Sequence, residues 1–128
     1  MTTIIRIDPD GTITDIEGDD LFAVAQPMFD SIDVVTCRAP FFDGFLVGAI
    51  DDWGRSMGLP LNRKAWACYG RSPIFGPMFL AHDQDDNGHR PPLDPALVAL
   101  LQLPVESIVP AHIITLMDEV LRNEGVDR

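Results

Sequence analysis

The stretch that organises the fold is Gly58–Ala65, which reads GLPLNRKA. Its glycine and proline constrain the backbone ahead of Asn62. Asparagine is a favoured N-cap, because its side-chain oxygen accepts a free amide hydrogen of the first helical turn. The residues that follow can form one or two turns of helix, which Gly70 is suited to end. The sequence therefore predicts a short helix, capped at both ends, near the middle of the chain.

A basic segment, defined as residues 53–76, surrounds this motif. It contains no acid and four basic residues, Arg55, Arg63, Lys64 and Arg71. By contrast, residues 1–52 hold eleven acids and two arginines, and residues 77–128 hold nine acids and three arginines. The basic segment also contains both tryptophans and the single tyrosine. Because the chain as a whole carries a charge of −11, this segment is expected to form an organising or functional surface.

The composition indicates a single domain, residues 1–128. Domains commonly contain about 100–150 residues, and an apolar content of 46% is enough for a hydrophobic core. The net charge of −11 argues against general nucleic-acid binding, which needs cationic groups to replace counterions along the phosphate backbone. It is compatible with an acidic face that occupies a basic groove on another protein.

The cysteines and the N-terminus predict a cytoplasmic protein. Cys37 and Cys68 are too few for a disulfide framework, and each lies in an apolar stretch where a free thiol packs as a small hydrophobic residue. Met1–Arg6 lacks the basic and apolar regions of a signal peptide. No apolar run approaches the roughly 20 residues that span a bilayer, so no membrane association is expected.

The N-terminal residues predict a hairpin followed by a helix. Thr2–Ile7 and Thr12–Glu17 are runs of β-branched residues, and Asp8–Gly11 between them has the residue types of a tight turn. Asp19 or Asp20 is then placed to cap a short helix.

Further strands are predicted in the middle of the chain. Ile32–Arg38 and Phe45–Ile50 have strand character, and Phe41–Gly44 between them favours a second hairpin. Ile74–Ala81 is a third candidate strand. Pro77 interrupts it, which predicts an edge position or a bulge because proline cannot donate a backbone hydrogen bond.

The C-terminal third predicts helices. Asp94 followed by proline is typical of a helix start, and Gly125 is a candidate C-cap. One apolar stripe follows at helical spacing, consisting of Ile113, Leu116, Met117, Val120 and Leu121. Strands first and helices last predict an α+β domain, in which a small, mostly antiparallel sheet packs against the C-terminal helices.

The order of an acidic-glycine turn, Gly58–Ala65 and Ile74–Gly76 resembles an uncharacterised small domain family of bacteriophages, plasmids and actinobacterial mobile elements. In that family a G-x-P-x-N-R-x-A signature follows a hairpin and precedes an I-x-G strand. The resemblance covers about residues 32–100, and this chain departs from it at Pro77 and in a longer polar loop at 82–93. The matching positions are Gly58, Pro60, Asn62, Arg63 and Ala65. The family has no settled activity. The resemblance implies an accessory protein of a mobile element, sometimes attached to antirestriction-type modules.

Two interpretations of the motif stay open at the level of sequence. In one, Asn62 caps the helix and Arg63 pairs with an acid from the first fifty residues, so that the motif is an internal fastener. In the other, four polar side chains and an exposed tryptophan contact an anion or a partner. This set is Asn62, Arg63, Lys64, Arg71 and Trp53. Trp66 fits the core better.

The polar loop partly matches a calcium-binding loop, with the pattern D-x-D-x-N-G. Its candidate oxygen ligands are Asp83, Asp85, Asn87 and Asp94. Against metal binding, the twelfth loop position is Asp instead of Glu, and Arg90 stands where an apolar residue usually docks the loop. A solvated turn without metal is the favoured interpretation.

No nucleophile elbow and no phosphate-binding glycine loop occurs in the sequence, which favours a non-enzymatic protein without a cofactor. We predict an accessory protein that binds a partner macromolecule, a host or phage protein, through an acidic face that mimics nucleic acid. The acidic face consists of Asp15, Glu17, Asp19 and Asp20. The alternative is a nucleotide- or small-molecule-binding protein, with or without enzymatic activity, that uses residues 55–71 to hold an anion. A third hypothesis is a homo-oligomer in which the basic segment of one copy meets the acidic face of another.

Overall fold

The computed structural model describes residues 2–37 and 46–123, which form an antiparallel sheet and several helices. The strands are β1 (Ile4–Ile7), β2 (Ile13–Ile16), β3 (Ile32–Cys37), β4 (Leu46–Asp51) and β5 (Met78–His82), in the spatial order β2-β1-β5-β4-β3. The helices are α1 (Leu21–Ala25), α2 (Arg63–Tyr69), α3 (Pro95–Leu101), α4 (Val105–Ile108) and α5 (Ala111–Asn123). The predicted α+β fold is confirmed.

The first predicted hairpin is confirmed. β1 and β2 pair in antiparallel register, with Ile4 opposite Ile16. In the turn between them, the amide of Asp8 donates to the carbonyl of Thr12 over 3.0 Å. Gly11 adopts a φ of +93°, a backbone conformation that L side chains rarely tolerate. This turn lies next to α2 and supplies one of its contacts.

The two strands of the second predicted hairpin are confirmed. β3 and β4 pair in antiparallel register, starting with Ile32 opposite Asp51. The predicted turn at Phe41–Gly44, together with Arg38 and Phe45, lies outside the described residues. The predicted C-cap Gly125 lies outside them as well.

Aspartate caps begin two of the helices as predicted. Asp20, and not Asp19, caps α1 by accepting a hydrogen bond from the amide of Ala23 over 3.1 Å. Asp94 caps α3 by accepting from the amide of Ala96 over 2.9 Å. In both cases the side chain satisfies an amide that has no partner within the helix.

β5 occupies the centre of the sheet, so the prediction of an edge strand or bulge at Pro77 is wrong. The strand pairs with β1 on one side and with β4 on the other. It begins at Met78, one residue after the proline, so the missing amide removes no hydrogen bond from either ladder. Gly76 turns the chain into the strand with a φ of +89°.

The two faces of the sheet carry separate cores. The larger core lies between the sheet and helices α2, α3 and α5. Its members include Ile5, Ile7, Leu80, Trp66, Leu97, Leu101, Met117 and Leu121. The smaller core lies beneath α1, where the rings of Phe29 and Phe79 meet edge to face with centroids 5.6 Å apart.

The predicted apolar stripe on α5 is only partly covered. Met117 and Leu121 are buried in the larger core. Leu116 and Val120 belong to the same stripe but are 51% and 38% exposed. The helix therefore presents apolar side chains that no described part of the chain covers.

Candidate functional site

Asn62 lies within the Gly58–Ala65 motif that the sequence singled out. It is fully buried, and its side-chain oxygen accepts from the amide of Ala65 over 3.0 Å, which caps α2 as predicted. Its side-chain nitrogen donates to the carbonyls of Ile7, 2.8 Å away, and Gly76, 2.9 Å away. Its own amide donates to the carbonyl of Ile74 over 2.7 Å. One side chain thus joins the end of β1, the entry to β5 and the start of α2.

The residues just before Asn62 pair with the segment that leads into β5. The amide of Gly76 donates to the carbonyl of Pro60 over 2.8 Å, and Leu61 forms a β-bridge with Phe75. A β-carbon at Gly76 would lie 2.7 Å from a methyl carbon of Leu59, which is closer than real side chains approach. The motif therefore forms a clasp, defined here as residues 58–65 with 74–76.

Arg63 pairs with an acid, but not with one from the first fifty residues, so that part of the fastener prediction is wrong. Its guanidinium donates to the carboxylate of Asp118 on α5. The reason is that α5 packs onto the same core as α2 and brings its polar edge to the start of α2. The arginine side chain is largely buried, while the aspartate is half-exposed. The charge of Arg63 is balanced within the chain.

Lys64 is buried, and its ammonium donates to the carbonyl of Gly11 over 2.8 Å. Burial lowers the pKa of Lys64, and the nearby negative charges of Asp10 and Glu106 partly oppose that effect. A cleft of about 390 Å³ adjoins Lys64, and its lining includes Arg63, Asp10 and Glu106. The lining includes two acids as well as two cations, so the cleft is not a cationic pocket for an anion.

The remaining members of the basic segment face outward or pack on aromatic rings. The guanidinium carbon of Arg55 lies 5.6 Å from the centroid of the Phe75 ring. Arg71 is exposed. Trp53 is 55% exposed, as predicted for an outward contact, whereas Trp66 is buried in the core, also as predicted. The structure does not bring the predicted set of Asn62, Arg63, Lys64, Arg71 and Trp53 to one surface, because Asn62 and Lys64 point into the fold.

The acidic face lies along β2 and the link from β2 to α1, and its four carboxylates are exposed. Asp15 accepts a hydrogen bond from the hydroxyl of Thr2 over 3.0 Å, and Asp20 caps α1. Within residues 2–37 and 46–123, no basic side chain forms an ion pair with any of the four. Beside them on α1, Phe22 is 54% exposed. Exposed carboxylates without an ion-pair partner among the described residues thus lie close in sequence to an exposed aromatic ring.

Three of the four predicted calcium ligands, Asp83, Asp85 and Asp94, accept hydrogen bonds from backbone amides close in sequence. Asp85 accepts from the amides of Asn87 and His89, each over 2.9 Å, and these bonds lower its pKa. Asp94 caps α3. No group of three or more His, Cys, Asp or Glu side chains in the described part of the chain is arranged to hold a metal ion.

No family model, no curated protein and no solved structure matches this chain. The resemblance to the mobile-element family therefore stays a prediction. None of the helices within residues 2–37 and 46–123 has both the length and the apolar character needed to cross a membrane.

Sequence reasoning missed two features of the surface. It did not find Asp118 as the partner of Arg63, although an acid on the polar side of the last helix was visible in the helical periodicity. It also did not separate the exposed Leu116 and Val120 from the buried members of the α5 stripe, because no signal in the sequence distinguishes them.

Proposed function

We propose that this chain is a non-enzymatic binding protein that docks a basic partner protein on its acidic face. The observation that carries the proposal is the run of four exposed carboxylates at Asp15, Glu17, Asp19 and Asp20, none of which forms an ion pair with a basic side chain among residues 2–37 and 46–123. Phe22 adds an apolar anchor beside this charge. Aromatic anchors surrounded by charge are typical of protein interfaces, in which charge speeds encounter and buried aromatic groups slow dissociation.

The partner expected for such a face is a protein with a basic groove, such as a nucleic-acid-binding protein. The carboxylates of the acidic face are spaced along β2 and the link that follows it. They present a basic groove with a row of negative charges, as a phosphate backbone does. The chain would then compete with nucleic acid for that protein. The signature resemblance supports an accessory role of this kind in a phage or mobile element.

The anion-binding alternative has less support. Arg63 is paired with Asp118, and Lys64 donates to a backbone carbonyl inside the fold. A nucleotide at this position would have to displace both contacts and would meet Asp10 and Glu106 at the cleft. Asn62, which the alternative also needs, has its side-chain donors and acceptor fully used.

The test is quantitative binding to a nucleic-acid-binding protein captured from the host and then purified. We expect the affinity to fall as salt rises, because exposed charges are screened beyond a Debye length of about 8 Å at physiological ionic strength. The double variant Glu17→Gln/Asp19→Asn should weaken binding by about tenfold. Asp20 stays unchanged, since it caps α1. Added DNA should displace the chain from its partner.

A matched control removes the same charge elsewhere. Asp83→Asn/Asp86→Asn changes two exposed acids in the polar loop and should leave the affinity within about twofold of the unmodified chain. Equal affinities for both double variants, or an affinity indifferent to salt and DNA, would overturn the proposal.

A further inference from the structure

A groove of about 540 Å³ runs between α2 and α5, away from the acidic face. It is lined mainly by apolar side chains, including Trp66, Ile113, Leu116, Met117 and Val120. Leu116 and Val120 are the most exposed of these, at 51% and 38%. Apolar side chains at positions i and i+4 form a continuous ridge on a helix. The ridge and the groove beside it offer a surface suited to a second helix.

The charges around this groove differ from those of the rest of the molecule. Among the described residues no acid lines it, although the whole chain carries −11. The exposed Arg71 lies at its α2 side. Glu119 on α5 is exposed. At 100° per residue, helix geometry places Glu119 beyond Leu116, on the side of the ridge away from α2. The apolar ridge is therefore bordered by a positive group on one side and a negative group on the other.

We propose that this groove is the interface of a homodimer, in which the α5 ridges of two copies pack against each other. A two-fold axis running along the ridge brings the Arg71 side of each copy over the Glu119 side of the other. Such a surface is complementary to itself, as an isologous interface requires. A copy of this chain fits because the described lining of the groove holds no acid that would repel the other copy.

This dimer is held by apolar contact, which distinguishes it from assembly of the basic segment on the acidic face. Each copy carries −11, so the two copies repel at long range. Salt screens that repulsion, and we expect the dimer to strengthen as salt rises. Assembly by opposite charges would weaken under the same change. The dependence on salt therefore separates the two modes.

The test is sedimentation equilibrium of the full chain from about 1 to 500 µM at two salt concentrations. The unmodified chain should reach twice the 14.1 kDa mass of one copy, with a lower dissociation constant at higher salt. Leu116→Ser/Val120→Ser should raise the dissociation constant by at least about a hundredfold. The matched control Leu103→Ser alters a leucine of similar exposure, 45%, outside the groove, and should dimerise normally.

A charge exchange keeps the proposal testable if the double serine variant fails to fold. Arg71→Glu should weaken the dimer by about tenfold, and the added change Glu119→Arg should restore it. A monomer at every concentration would overturn the proposal, as would a dimer that persists equally in Leu116→Ser/Val120→Ser and Leu103→Ser, or a charge exchange without rescue.

Discussion

Arg63 illustrates how a residue that looks functional in the sequence is used by the fold. It stands in a segment with no acid within ten residues on either side, yet its guanidinium meets Asp118, 55 residues further along the chain. The ion pair between Arg63 and Asp118 is one contact that holds α5 against α2. Because the carboxylate is half-exposed, water weakens the attraction, and the pair contributes modestly to stability.

A double-mutant cycle measures that contribution. Arg63→Ala and Asp118→Ala, alone and combined, should show a coupling of about 0.5–1 kcal/mol in the free energy of unfolding by urea. The control cycle pairs Arg63→Ala with Glu119→Ala, an exposed neighbour on the same helix, and should be additive within about 0.3 kcal/mol. Coupling absent from the first cycle would mean that Arg63 is not held by Asp118 in solution.

At the scale of elements, β3 and α2 each place one cysteine in the larger core. Cys37 ends β3 and Cys68 lies near the end of α2, and both thiols are free and fully buried. Burial raises the pKa of Cys37 from its ordinary value of 9.0 to about 12, and it raises the pKa of Cys68 as well. The reactive thiolate is therefore scarce in the folded protein near neutral pH.

The thiols should be inert until the chain unfolds. With an aromatic disulfide reagent at about pH 8, we expect negligible labelling of the native protein and two labelled thiols per chain in denaturant. Because folding raises both pKa values, the contribution of the two thiols to stability is complete below about pH 9 and is lost as the pH rises towards 12. Rapid labelling of either thiol in the native state would contradict the buried positions.

The elements differ in how far the sequence could predict them. The β1–β2 hairpin and the caps at Asp20, Asn62 and Asp94 depend on local turn and capping chemistry, and local sequence carries that information. β5 is central because β1 and β4 pair with it on either side. The presence of Pro77 before the strand does not indicate which strands will pair with it. The half-exposed stripe of α5 depends on how much surface α2 leaves uncovered. Both are properties of tertiary packing.

At the scale of the whole molecule, the two cations of the Gly58–Ala65 motif make contacts within the fold, whereas the acidic face is displayed on the surface. The clasp takes up Arg63 and Lys64, and the acidic face keeps its carboxylates unneutralised within the described residues. The most visible motif therefore contributes to stability, and the proposed binding surfaces lie around it. Asn62 is the residue on which this assignment depends most, because it joins β1, β5 and α2.

The most direct test is the free energy of unfolding of Asn62→Asp, measured by urea denaturation near neutral pH. This change keeps the shape and the capping oxygen of Asn62 but leaves the carbonyls of Ile7 and Gly76 without their donor and buries a charge. We predict a loss of about 3 kcal/mol or more. The control Asn87→Asp, in an exposed turn, should change stability by no more than about 0.5 kcal/mol. An Asn62→Asp protein as stable as the unmodified chain would contradict the clasp.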